Sequence, residues 1–124
     1  MPKVLVVDDQ IDNCVPLVRL LRHMGHEAAS VTSGPEALDF IQQHPTKLML
    51  LDIMMPGMDG LEVLREIRAR SGFEALPVVM FTAVSDRRQH DEARSLGAQD
   101  VLVKGNTSFE DLRAAVEKHV PKPC

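Results

Sequence analysis

A doubly wound α/β domain, with a parallel sheet between two layers of helices, is predicted by three features of this chain of 124 residues. Four short aliphatic runs read as strands buried on both faces: Val4 to Val7, Leu48 to Leu51, Val78 to Phe81 and Val101 to Val103. Strands alternate five times with segments whose apolar residues recur at helical spacing, without repeats or low-complexity sequence, so right-handed crossovers should join parallel strands. All four runs stop on polar residues with no packing role: Asp8 and Asp9, Asp52, Thr82, and Lys104.

Each element follows from local chemistry. After the first strand, Asp12 or Asn13 is placed to cap a helix carrying Cys14, Leu17 or Val18, Leu21 and Met24. Pro16 is tolerated only in a first turn, so the regular helix begins near Asn13 or an earlier start is distorted. Gly25 ends it, and His26 to Val31 reads as a short, polar strand suited to a sheet edge. Ser33-Gly34-Pro35-Glu36 combines a cap, an early proline and a glutamate at capping-box distance, opening a helix with Ala37, Leu38 and Ile41 that closes at His44 and Pro45.

The third strand ends at Asp52, and a turn-rich loop to Gly60 leads into a helix with Leu61, Leu64 and Ile67 on one face, broken at Ser71-Gly72. The fourth strand starts after Pro77. Ser85 or Asp86 caps the next helix, which runs to Gly97 and has only Val84, Ala93 and Leu96 to hold it to a sheet, so it should be the most loosely packed. After the last strand, Thr107-x-x-Glu110 is expected to cap a helix with Phe109, Leu112, Ala115 and Val116 inward, and Pro121-Lys122-Pro123 ends the domain.

A chain of this length forms one domain, residues 1–124, that buries roughly two thirds of its unfolded surface. The core must be aliphatic, because Trp and Tyr are absent and there are four Phe. A net charge of −4 argues against direct binding to nucleic acid or an anionic membrane, and no apolar stretch approaches the length of a membrane span. With Met1-Pro2-Lys3 leading straight into a strand, the expected location is cytoplasmic. Cys14 reads as a small buried hydrophobe and Cys124 as a tail thiol, and the five histidines are scattered, mostly on the surface, without metal-ligand spacing.

Each polar strand end has an ordinary role when taken alone: aspartates cap helices, threonine favours strands, and lysine is solvated. Together, three carboxylates, a hydroxyl and an ammonium converge on the carboxyl edge of one sheet, where open α/β folds place ligands. Crowded carboxylates repel one another unless a cation intervenes, so the cluster asks for a hard divalent metal and an anionic ligand. The phosphate-binding pattern G-x-x-x-x-G-K-[ST] is absent.

With these motifs, the chain resembles the receiver domain of two-component response regulators over its whole length. The resemblance rests on Val6-Val7-Asp8-Asp9, on Asp52 followed by Ile53-Met54-Met55-Pro56-Gly57-Met58-Asp59-Gly60, on Thr82-Ala83, and on Lys104 after the fifth strand. It implies a flavodoxin-like five-stranded fold in the order 2-1-3-4-5, Asp52 as phosphoacceptor, and Asp8 and Asp9 as an acidic pocket for Mg2+. In that reading Asp52 takes a phosphoryl group from a phosphohistidine as a carboxylate nucleophile. Mg2+ bridges Asp9, Asp52 and a phosphoryl oxygen; Asp8 acts directly or through water, and the Met54 carbonyl is a further ligand. Lys104 and the Thr82 hydroxyl meet the remaining phosphoryl oxygens. The implied partners are a histidine kinase or histidine phosphotransfer protein and a downstream protein effector. The chain would be no enzyme beyond catalysing its own phosphorylation and dephosphorylation.

Three positions depart from the family. The aromatic residue often found three before the lysine is Val101, the lysine is followed by Gly105 where proline is common, and the positions two beyond Asp52 and Thr82 are the apolar Met54 and Val84. The last departure leads to an expectation of slow self-dephosphorylation. Two other readings compete. A magnesium-dependent phosphatase of the haloacid dehalogenase type would carry an acid where Met54 stands. A phosphorylation-independent pseudo-receiver interaction module is favoured by Val101 and opposed by the intact acidic cluster, Thr82 and Lys104.

Overall fold

The structure, a computed structural model, describes residues 3–120. The expected Pro121-Lys122-Pro123 terminus and the Cys124 thiol lie outside the described residues. Five strands, β1 (Lys3–Val7), β2 (Glu27–Val31), β3 (Leu48–Leu51), β4 (Val78–Thr82) and β5 (Asp100–Val103), form one parallel sheet in the order β2-β1-β3-β4-β5. They alternate with helices α1 (Ile11–His23), α2 (Gly34–Gln43), α3 (Gly60–Ala69), α4 (Arg87–Ser95) and α5 (Phe109–His119).

Alternation along the strands sorts the core into two layers. Leu5, Val7, Met49, Leu51, Val78, Met80 and Val101 face α2, α3 and α4. Val4, Val6, Leu48, Leu50 and Val79 face the other way, onto Cys14, Leu17 and Leu21 of α1 and Leu112 and Val116 of α5. The strand interiors are therefore aliphatic on both faces, as a sheet sandwiched between helices requires. The β2 edge is shorter of apolar residues, with only Ala28 buried. No helix among the described residues is long and apolar enough to cross a membrane.

Most helix starts follow the capping logic of the sequence. Ser33 accepts from the Glu36 amide, Asp59 from Glu62 and Asp86 from Arg88. Two starts differ. Helix α1 begins at Ile11 after Gln10, whose side chain makes no cap; Asp8, one turn earlier, takes the Gln10 amide and the Asn13 side-chain amide. Pro16 therefore lies inside the helix, the earlier of the two starts foreseen, where the Asp12 carbonyl lacks its usual helical donor.

Helix α5 is capped by Ser108, not Thr107, through a reciprocal box with Asp111, and Thr107 instead donates to the Val103 carbonyl. With Ser108 as the cap, Phe109 is the first residue of the helix. Phe109, expected inward, is 71% exposed, while Leu112, Ala115 and Val116 are buried. His26 also differs from the expected surface histidines: it is buried immediately before β2, with neither ring nitrogen bonded among the described residues.

Helix α4 carries a single buried residue, Ala93, with Val84 and Leu96 packed at its ends. Polar contacts add to this thin apolar anchor. Arg65 of α3 pairs with Glu92, and the Arg68 guanidinium donates to the carbonyls of Gly97 (2.7 Å) and Phe73 (3.0 Å). Partial burial lowers the Arg68 pKa from its ordinary value. Gln99 completes the clasp by accepting from the Val78 amide at 2.7 Å.

Candidate functional site

Parallel register determines which residues meet. Val7 pairs with Leu51, so the next residues on β1 and β3, Asp8 and Asp52, emerge side by side at the carboxyl edge. Leu51 pairs with Met80 and Thr82 with Val103, which sets Thr82 one step and Lys104 two steps further along the edge. The flanking helices then fix the loops. Gly60, the first residue of α3, lies directly on the end of β3 and donates to the Ile53 carbonyl at 2.8 Å. An added Cβ there would collide with the Asp52 carbonyl and fall 2.8 Å from the Ile53 Cα. Sequence reading treated Gly60 as a turn residue; its role is close approach, which holds the Asp52 backbone in place.

Asp8, Asp9 and Asp52 each offer a carboxylate oxygen within 4.8 Å of the others. Asp8 is 2% exposed and Asp52 7%, whereas Asp9 is half-buried and lines an open cleft of about 410 Å³ with Met54, Met55, Pro56, Asp59 and Gln89. The Lys104 ammonium enters from a 3₁₀ turn (Lys104–Asn106) and donates to Asp8 Oδ2 at 2.6 Å and Asp52 Oδ2 at 3.3 Å. It also lies 5.7 Å from the centre of the Phe81 ring. Burial alone would lower the Lys104 pKa, but the hydrogen bond to Asp8 and the charges of Asp52 and Asp8 outweigh it, and the net shift is upward. Lys104 therefore remains a fixed positive charge at neutral pH.

The remaining predicted residues sit at the same edge. The Met54 amide donates to Asp52 Oδ1 at 3.3 Å, which steadies one carboxylate oxygen, and the Met54 side chain is 66% exposed. Thr82 is fully buried at the end of β4, and its hydroxyl oxygen accepts from the Val84 amide at 3.1 Å. Cys14, buried behind the site, donates weakly to the Asp8 carbonyl; burial, and then the nearby Asp8 charge, raises its pKa, so it is a thiol. The peptide bond between Lys104 and Gly105 is trans, as are all described peptide bonds.

This arrangement offers hard oxygen ligands to one side and a fixed cation to the other. The donor set suits a small divalent cation, because all three ligand groups are carboxylates and two of them are buried where an unneutralised cluster would be costly. Lys104 satisfies only part of that charge.

The chain is similar to known proteins over most of its length. The chain matches the response regulator receiver domain family over residues 4–117. It is 40% identical over 115 residues to the transcriptional regulatory protein ZraR of Escherichia coli, covering 93% of this chain and 25% of that protein. It is also 40% identical over 110 residues to the sensory transduction protein RegX3 of Mycobacterium tuberculosis, covering 89% of this chain and 47% of that protein. The chain thus spans from a quarter to under half the length of these relatives. Among solved structures, the chemotaxis protein CheY4 of Vibrio cholerae superposes with a TM-score of 0.89 at 29% identity, covering 97% of this chain and 99% of that one. The response regulator TrrA of Thermotoga maritima, solved in complex with Mg(2+)-BeF, superposes at 0.85 with 32% identity, covering 97% of this chain and all of that one. The strand order, the acidic edge and these matches agree: the chain belongs to the response regulator receiver domain family of two-component signalling.

Proposed function

We propose that this domain is a phosphoacceptor switch in which Asp52 takes a phosphoryl group from a phosphohistidine and the change is passed to a protein partner. The carrying observation is the trio of carboxylate oxygens within 4.8 Å, crossed by the Lys104 ammonium bonded to two of them. Asp52 is the natural nucleophile. The Met54 amide and Lys104 each orient one of its oxygens. Attack forms a bond from Asp52 oxygen to phosphorus and breaks the bond from phosphorus to the imidazole nitrogen, whose electron pair leaves with the donor.

Phosphoryl transfer needs positioning and charge neutralisation more than covalent help. Asp8, Asp9 and Asp52 would hold a magnesium ion, which supplies positive charge against the carboxylates and the incoming oxygens. Lys104 supplies a second positive charge by exchanging a carboxylate oxygen for a phosphoryl oxygen. The Thr82 hydroxyl, which now uses its oxygen as an acceptor for Val84, retains its hydrogen for a phosphoryl oxygen.

The surroundings support a protein donor. Ile11 and Val15 on one exposed line of α1, Met54 after β3 and Phe109 at the start of α5 are large exposed hydrophobic residues, all on segments leaving the carboxyl edge. Exposed apolar groups around a charged centre fit docking of a kinase or phosphotransfer domain.

The test is incubation with a small acyl-phosphate donor, followed by intact mass and peptide mapping. One phosphoryl group is expected, on Asp52, with at least a hundredfold less labelling in Asp52→Asn or with chelator, roughly the loss of about 3 kcal/mol of transition-state stabilisation. Undiminished labelling in either case would sink the proposal, and absence of labelling in wild type would favour a phosphorylation-independent interaction module.

A further inference from the structure

We propose that His90 is the positioning residue that couples Thr82 to α4; this rests on the reading of Asp52 as phosphoacceptor. His90 lies outside the motifs that carry the resemblance, and the sequence pattern gives it no role beyond a place on a polar helix. Its geometry is specific. Val84 makes two hydrogen bonds in opposite directions: its amide donates to Thr82 Oγ1 at 3.1 Å, and its carbonyl accepts from His90 Nε2 at 2.7 Å. A carbonyl can only accept, so the ring carries its hydrogen on Nε2. One residue thus joins the hydroxyl at the end of β4 to a side chain on the second turn of α4.

The rest of α4 makes this contact consequential. Ala93 is its one buried residue, and the side chains that tie it to α3 act towards its C-terminal end, through Glu92 and the Gly97 carbonyl. Among the described residues, His90 is the α4 side chain that bonds to the loop between β4 and α4. The N-terminal turns are otherwise capped locally by Asp86. A helix tied to α3 at one end and linked at the other to the preceding loop by one side-chain hydrogen bond has a built-in pivot.

Turning the Thr82 hydroxyl towards a phosphoryl oxygen moves or releases the Val84 amide. The Val84 carbonyl shifts with its residue, and His90 follows it or lets go. Either outcome changes the population of α4 positions, with the clasp at Arg65 and Arg68 as the fixed end. No aromatic side chain at Val101 is needed, and Val101 itself is buried in the core.

The experiment adds Mg2+ and beryllofluoride to the full chain, in wild type, His90→Ala and His90→Gln. Binding is read separately by the fluorine resonance of the bound anion, coupling by the His90 ring nitrogen resonances and by amide exchange. In wild type the Nε2 resonance should move on binding, and exchange of the amides from Arg88 to Ala93 should change about fivefold, as expected when one net hydrogen bond biases two states. In His90→Ala the anion should bind as before, but the exchange change should stop at Val84, with less than about a twofold effect in α4. Gln, which can donate to the same carbonyl, should restore much of the coupling. An unmoved Nε2 resonance in wild type, or full propagation in His90→Ala, overturns the coupling while leaving the phosphoacceptor reading intact. Failure of wild type to bind the anion overturns both.

Discussion

The two halves of the carboxyl edge are built by different means. Around Asp8 and Asp52, position is set by close packing: β1 and β3 are aliphatic on both faces, and Gly60 lets α3 rest on the backbone of Asp52. Beyond Thr82, the loop and α4 are positioned largely by exchangeable polar contacts: Val84 to Thr82, His90 to Val84, Arg65 to Glu92, and Arg68 to Gly97. Packed contacts tolerate little displacement, because dispersion is lost within a fraction of an ångström and voids are costly. Hydrogen bonds near the surface can swap partners at a cost of about 1 kcal/mol. The difference teaches that the acids are held in one geometry while the sensing side is left able to take two.

The strongest way to break this contrast is Gly60→Ala. A methyl group overlapping the Asp52 carbonyl cannot be absorbed by a side-chain rotamer, so β3 and α3 must separate. A loss of about 3 kcal/mol in urea unfolding is expected, with phosphoryl acceptance falling by more than the stability change explains. If the variant keeps wild-type stability, the close approach is not what fixes Asp52.

A smaller effect should follow Arg68→Ala on the polar side. Two carbonyls, of Phe73 and Gly97, lose their charged donor but stand near water, so stability should fall by about 1 to 2 kcal/mol. Amide exchange from Glu92 to Gly97 should speed up while Asp52 still accepts phosphate. Slowed labelling with unchanged exchange would mean that the clasp serves the acids and not the helix.

The smallest change is expected from Phe109→Ser. Because the ring is 71% exposed, unfolding should shift by no more than about 0.5 kcal/mol. If Phe109 belongs to a docking rim, transfer from a phosphohistidine domain should slow while labelling by a small acyl phosphate does not. A large destabilisation would return Phe109 to the core, where the sequence first placed it.

Much of the edge was legible because each aliphatic run marks a strand and the next residue must then emerge at its carboxyl end. Asp8, Asp52, Thr82 and Lys104 needed no tertiary information beyond parallel strands. Phe109 was misplaced because Thr107-x-x-Glu110 and Ser108-x-x-Asp111 both fit a capping box, and with Ser108 as the cap Phe109 becomes the first helical residue, at an exposed end, while Leu112, Ala115 and Val116 stay inward. The cap of α1 was misassigned to Asp12 or Asn13: the helix starts at Ile11 with no side-chain cap, and Asp8, a residue claimed by the acidic cluster, takes the Gln10 amide and the Asn13 side chain instead. The clasp on α4 joins residues 27 and 29 positions apart, Arg65 with Glu92 and Arg68 with Gly97, and local periodicity carries no signal for such pairs.

The register described above implies a rule about mutation. Val7 beside Leu51, Leu51 beside Met80 and Thr82 beside Val103 fix the edge by counting residues, not by the identity of the aliphatic ones. Exchanging valine for isoleucine within a strand alters volume by one methylene and keeps every polar end where it was. Deleting one residue sends the terminal side chain to the opposite face. Drift in spelling should therefore be common within these strands and drift in length nearly absent, with insertions confined to the amino-terminal edge of the sheet, far from the acids.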